Sequence, residues 1–300
     1  MSADVRRPTR FRDRETGELR EERVFGGDSL RWLYGDRLGR ALTDHVLTRR
    51  GPNRLYGLWQ RGPWTRRRIR AFVRELGIDE SEAELPLDDY PSLGSFFARR
   101  LRPGARPIDP TPEHLVAPCD GRVLAYRGGA GDALSIKGQQ TSLAELVGSA
   151  DRARPWRGGD VLVFRLAPAD YHRVHFPDHG VASAPITLGR RLHSVHPIAL
   201  AGGAPSFQNR RALATLTTER FGELLLIEVG ALLVGRIVQT YRPGPVARGE
   251  EKGAFEFGGS TVVVAAPSGA LHIDDDLIDT TREGLETFVK VGTRVGVAGR

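Results

Sequence analysis

Between Phe255 and Ala265 the chain reads FEFGGSTVVVA. A Gly-Gly pair is followed by two hydroxyl residues, Ser260 and Thr261, and then by the β-branched run Val262 to Val264, which predicts a buried strand. Glycine opens backbone conformations closed to other residues and leaves the Gly259 carbonyl unshielded, so the Ser260 hydroxyl could attack the peptide bond before it. The same residues suit a plain glycine turn feeding a core strand. This stretch alone allows both readings.

With 300 residues the chain has room for one large domain or two modest ones, and its 36 Gly and 19 Pro predict a loop-rich, strand-rich body. The single cysteine, Cys119, excludes an intrachain disulfide and fits a reducing compartment. No segment has signal-peptide or transmembrane character, so any membrane would be met at its surface. A net charge of +7 suits nucleic acid, anionic lipid headgroups or simply a solvated basic surface.

Residues 1–27 are polar and charged without an apolar period, which predicts a mobile tail. Residues 28–100 form a helical region. Apolar residues recur at helical spacing from Leu30 to Leu47, and again at Ile69, Phe72, Val73 and Leu76 in a helix from Trp64 that ends at Gly77. Between these helices RGPNRLYGLWQRGPW interleaves aromatic and basic residues, so the region can lie in a bilayer interface or dock on the rest of the protein. It carries no nucleic-acid-binding signature. After LRPGARPID, residues 101–300 alternate short apolar runs with turns: 115–116, 122–126, 161–166, 224–229, 232–240, 261–265 and 287–291 are the expected strands. The predicted class is α+β, a mainly antiparallel β body with N-terminal amphipathic helices.

Three histidines, His172, His175 and His179, cluster in PADYHRVHFPDHG, out of eight in the chain. On an extended segment His172 and His175 point to opposite faces, and Pro168 and Pro177 restrict a helix, so no metal site is expected. Acid-base work suits them better, because histidine titrates near neutrality. Asp120 in APCDGRV is a turn residue or a site residue, and Cys119 reads as a small packed residue. LHSVHP and FQNRR, the latter with Asn209 and Arg211, could line an anion site or lie in surface loops.

Taken in order, FARRLRPGARPID, APCDGRV, DYHRVHFPDHG, LHSVHP, FQNRR and GEEKGAFEFGGSTVVV resemble the phosphatidylserine decarboxylase family, over more than half of the chain. The resemblance implies a proenzyme that cuts itself between Gly259 and Ser260 into a β chain, 1–259, and an α chain, 260–300, with Ser260 becoming a pyruvoyl cofactor. It implies that Asp120 and His175 act with Ser260 in cleavage, and that His172 serves the decarboxylation stage. The substrate it implies is phosphatidylserine in an anionic membrane, held through a Schiff base and released as phosphatidylethanolamine and CO2. It further implies a peripheral enzyme on the cytoplasmic face of the cell membrane, with a dimer of the cleaved heterodimers as one assembly, no metal and no nucleic acid. Asn209 and Arg211 are candidate substrate contacts.

The chain departs from the family pattern in three places. Gly258 stands where many members have leucine, His196 where asparagine is usual, and Arg210 where glutamate is common. The last two bear on headgroup recognition, so a pyruvoyl decarboxylase of a soluble amino acid and a nonprocessing lipid-binding relative are the rival readings.

Overall fold

The computed structural model describes residues 9–23, 39, 43, 47–128, 134–136, 139–189, 192–193, 209–231, 236–256 and 260–299. Val262 to Val264 lie in the strand Ser260–Ala265, inside an 11-stranded, mainly antiparallel sheet. Its ladder neighbours are Glu223–Gly230 and Val161–Leu166. Successive side chains alternate between two cores: Val262 and Val264 join Leu162, Phe164, Leu224 and Leu226, while Val263 and Ala265 join Val161, Val163, Leu225 and Ile227. Both faces are covered, which is why these strands are continuously apolar in sequence. Burial contributes about 1.5–3 kcal/mol for each such aliphatic side chain.

Leu277 and Ile278 of the helix Asp275–Arg282 belong to the first core, and helix Leu143–Val147 with Trp156 to the second. A smaller sheet carries Arg173–His175 beside Glu251–Phe255, the strand that leads toward Ser260. The α+β class is as expected. So are most of the anticipated strands, whereas Arg211–Thr217, Glu251–Phe255 and Arg294–Ala298 went unanticipated.

One expectation for the N-terminal part needs correction. Residues 9–23 are no loose tail: Arg10–Asp13 pairs in parallel with Glu286–Val289, and Leu19–Glu21 pairs back on it as a hairpin. Buried Glu22 then meets Arg165, so an ion pair and ladder bonds replace the apolar period that is absent from the sequence. The segment between the expected helices is itself helical, Arg50–Gln60, followed by a 3₁₀ run Pro63–Arg68 and the α-helix Ile69–Leu76. That last helix closes at Gly77, whose φ of 66° is the left-handed conformation glycine adopts readily. The expected helix from Leu30 to Leu47 lies almost wholly outside the described residues.

The apolar face of Ile69–Leu76 is docked. Ile69, Phe72, Val73 and Leu76 pack with Tyr90, Leu93, Phe96 and Phe97. What stays exposed is Leu55, Leu58, Trp59 and Trp64.

Candidate active site

Ser260 begins its strand opposite Leu166 on one side and Gly230 on the other. It is fully buried, and its hydroxyl has no hydrogen-bond partner among the described residues. A buried hydroxyl normally finds a partner, so an unpaired one at a strand entrance is available for chemistry. Gly258 and Gly259 lie outside the described residues.

The chain leaving Val161–Leu166 forms the loop that carries His172. The Ala167 N–H and Arg122 both donate to the Asp170 carboxylate, and the Asp170 carbonyl accepts from His172 Nδ1 at 2.9 Å. A carbonyl only accepts, so Nδ1 carries the proton and the lone pair of neutral His172 is on Nε2. Phe97 packs on the imidazole with ring centroids 4.0 Å apart. The Phe255 N–H donates to the His172 carbonyl at 2.9 Å, which ties the histidine to the strand running toward Ser260.

His175 is oriented in the same way by a different carbonyl. Its Nδ1 donates to Gly249 O at 2.8 Å, and the Tyr171 hydroxyl donates to Nε2 at 3.2 Å. Burial pushes the imidazole below the ordinary histidine value, against the Gly249 bond and the charges of Glu251 and Asp120. Burial also raises the Tyr171 phenol to about 12, which keeps it a donor at neutral pH.

Asp120 makes no hydrogen bond to His175. Its carboxylate is taken by Arg106, at 2.7 to 3.1 Å, and by the Val291 N–H. It shares the neighbourhood because the His175 N–H donates to Pro118 O, two residues before Asp120. Burial raises the Asp120 carboxyl above its usual value while Arg106 pulls the other way. Asp120 therefore acts on His175 through its field.

Asn209 and Arg211 are engaged by backbone. The Asn209 amide donates to His193 O and Gly230 O and accepts from the His193 N–H, so it braces the residue opposite Ser260. Arg211 donates to the carbonyls of Leu146, Asn209 and Glu145. Both side chains are thus held by backbone groups in the uncut chain. His196 lies outside the described residues. Arg106, Tyr171 and Gly249 carry structural parts of this site that the sequence did not single out; the partners of Arg106 and Gly249 lie 14 and 74 positions away and are brought together by the fold, while Tyr171 sits four residues before His175.

A cleft of about 430 Å³, lined by Arg14, Arg106, Lys290 and Arg294 among others, lies on the Asp120 side, and Ser260, His172 and His175 form no part of its wall. Its basic residues already face carboxylates.

The family model described as phosphatidylserine decarboxylase matches residues 93–297. The chain belongs to the phosphatidylserine decarboxylase family. It is thereby an enzyme of the carboxy-lyase class. It is similar to the phosphatidylserine decarboxylase proenzyme of Desulfitobacterium hafniense (strain Y51), 40% identical over 291 residues, covering 96% of this chain and 98% of the relative. Proteins of the same name from Clostridium perfringens (strain SM101 / Type A) and Chlamydia pneumoniae are each 38% identical, covering 95% and 96% of this chain and 98% and 97% of theirs. Among the described residues no helix is long and apolar enough to cross a membrane.

Proposed function

We propose that this family member is a self-processing proenzyme that converts phosphatidylserine to phosphatidylethanolamine and CO2, with Ser260 as the source of a pyruvoyl group. The observation that carries this reading is the buried Ser260 hydroxyl, without a partner among the described residues, at the mouth of a strand whose approach is flanked by two oriented histidines.

For the cut, His175 Nε2 takes the Ser260 proton and the hydroxyl oxygen attacks the Gly259 carbonyl carbon. The Tyr171 hydroxyl must first leave Nε2 or pass its own proton on. The acyl group moves from nitrogen to oxygen, the resulting ester is eliminated, and water releases ammonia from the new amino terminus. The fit of Ser260 to this role rests on its residue type, its burial and its unpaired oxygen.

The pyruvoyl group supplies a ketone that captures the substrate amine and accepts the electron pair released with CO2. His172, fixed by Asp170 and Phe97, returns a proton to the carbon that lost CO2. Arg122 holds the Asp170 carboxylate and so keeps that loop in place.

The substrate arrives from a membrane, and the exposed Leu55, Leu58, Trp59 and Trp64 with Arg66, Arg67 and Arg68 suit insertion at an anionic surface. Arg61 of this region pairs with Glu256, which adjoins the segment leading to Ser260, so lipid docking and chemistry share one side of the molecule. This supports a peripheral enzyme at a membrane surface, and the family resemblance favours the cytoplasmic face.

Denaturing mass spectrometry tests the reading. Two fragments, 1–259 and 260–300 with a pyruvoyl end, together with CO2 release from phosphatidylserine vesicles are expected; a single intact chain in active preparations would sink it.

A further inference from the structure

Four arginines are buried among the described residues. Arg165 faces Glu22 and Glu286, and Arg122 faces Asp170. Arg211 has no carboxylate but donates to three carbonyls. Arg99 differs from all of these. At 5% exposure it has, among the described residues, one acceptor, Ala169 O at 3.2 Å from Nη2, while Nε and Nη1 are buried without any. The Phe96 ring lies 4.9 Å from its guanidinium carbon and cannot replace an anion. The acids that act on it are already taken, Asp120 by Arg106 and Asp170 by Arg122. Lacking such a partner, the guanidinium is pulled below its ordinary value by burial.

A buried cation with unfilled donors is costly, and a protein keeps one where a ligand completes it. Its place is specific. The consecutive carbonyls of Ala169 and Asp170 receive Arg99 Nη2 and His172 Nδ1, so one short loop holds both side chains. Phe97, two residues before Arg99, packs on the His172 ring.

We infer that Arg99 is the anion-binding residue of the active site and receives the phosphodiester of the substrate headgroup, an assignment that rests on the decarboxylase reading given above. The substrate offers two anions, and the chemistry selects between them. A cation on the carboxylate would stabilise the group that must lose its charge as CO2, so it would hold the ground state more tightly than the transition state. The phosphodiester keeps its charge throughout. A contact to it lowers KM and leaves the chemical step untouched.

The guanidinium is closed to solvent in the uncut chain, so the test uses the processed protein. The probe is glycerophosphoethanolamine, which has the phosphodiester and lacks the carboxylate. Arg99→Gln should weaken its binding by calorimetry about 10- to 100-fold, the range for a hydrogen bond to a charged group. The KM for phosphatidylserine should rise by the same factor with kcat unchanged, and Arg99→Lys should recover part of the loss. Because the change removes an unmatched buried charge, the melting temperature without ligand should hold or rise.

Unchanged probe affinity in Arg99→Gln overturns the inference. So does a fall in kcat at constant KM, which would put Arg99 on the reacting atoms, or a lowered melting temperature with lost processing in both variants, which would make it structural. Inorganic phosphate binding as tightly as the probe would assign the site to free phosphate instead. Arg99-dependent probe binding in wild-type protein that releases no CO2 from phosphatidylserine would overturn the function and leave Arg99 standing.

Discussion

Ser260 and Thr261 are sequence neighbours that look into opposite halves of the molecule, because successive residues of a strand face opposite ways. On the Thr261 side, at the same end of the sheet, Arg165 and Arg122 form a buried ionic cluster with Glu22, Glu286 and Asp170. Every guanidinium there faces a carboxylate. On the Ser260 side the buried polar groups are left incomplete. Among the described residues the Ser260 hydroxyl has no hydrogen-bond partner, and Glu228, opposite Val262, accepts from Lys252 and Gln239 at one carboxylate oxygen while the other has no partner. Matched burial builds a rigid wall; unmatched burial marks where chemistry is left to happen. Arg122 links the two, since the Asp170 it holds also orients His172.

The largest effect should come from the incomplete side at no cost in stability. Ser260→Ala should remain one chain and release no CO2, while its melting temperature stays the same or rises, because the lost hydroxyl has no hydrogen bond to any described residue. Gel electrophoresis and calorimetry on one preparation read both. His172→Ala should still cut itself and then turn over about 10²- to 10⁴-fold more slowly, the range for loss of a general acid-base group. Two fragments with normal CO2 release would remove His172 from the reaction.

The opposite pattern is expected across the sheet. Arg165→Met removes the cation that Glu22 and Glu286 share in the interior and should cost about 3–5 kcal/mol in urea unfolding, with the cut still made in molecules that fold. Replacing all three by apolar residues of similar size should recover most of that loss. A triple variant as unstable as the single would mean that the cluster does more than balance its own charges.

The same contrast explains what could be read in the sequence. Ser260 stands out because its turn, hydroxyl and β-branched run are contiguous, and the central strands stand out because burial on both faces makes them continuously apolar. The hairpin of residues 9–23 does not, because what holds it is a carboxylate meeting an arginine 143 positions away. The sequence suggests His175 as a base, yet its orienting carbonyl is Gly249, 74 positions on, and a backbone oxygen leaves no mark in side-chain pattern. Asp120 was legible as an acid, but the bidentate grip of Arg106 decides what it touches. Local chemistry shows in sequence, whereas the partners that complete or withhold a hydrogen bond are set by the fold.

The smallest predicted effect is a pH dependence of self-cleavage set by His175. His175 must be neutral to take the serine proton, and its pKa lies below 6.5 because burial disfavours the imidazolium. The fraction of competent base therefore rises as pH climbs through that lowered value and is complete before an exposed histidine would have finished titrating. Self-cleavage of freshly translated precursor should therefore fall on acidification with a midpoint below that of an exposed histidine. Glu251 and Asp120 act upward on this pKa, so Glu251→Gln removes a stabilising charge and should move the midpoint to still lower pH. It also leaves Arg173, which lowers the same pKa, without its carboxylate, and this pushes in the same direction. A midpoint at or above 6.5, or one that rises in Glu251→Gln, would mean that the group limiting cleavage is not the buried imidazole of His175.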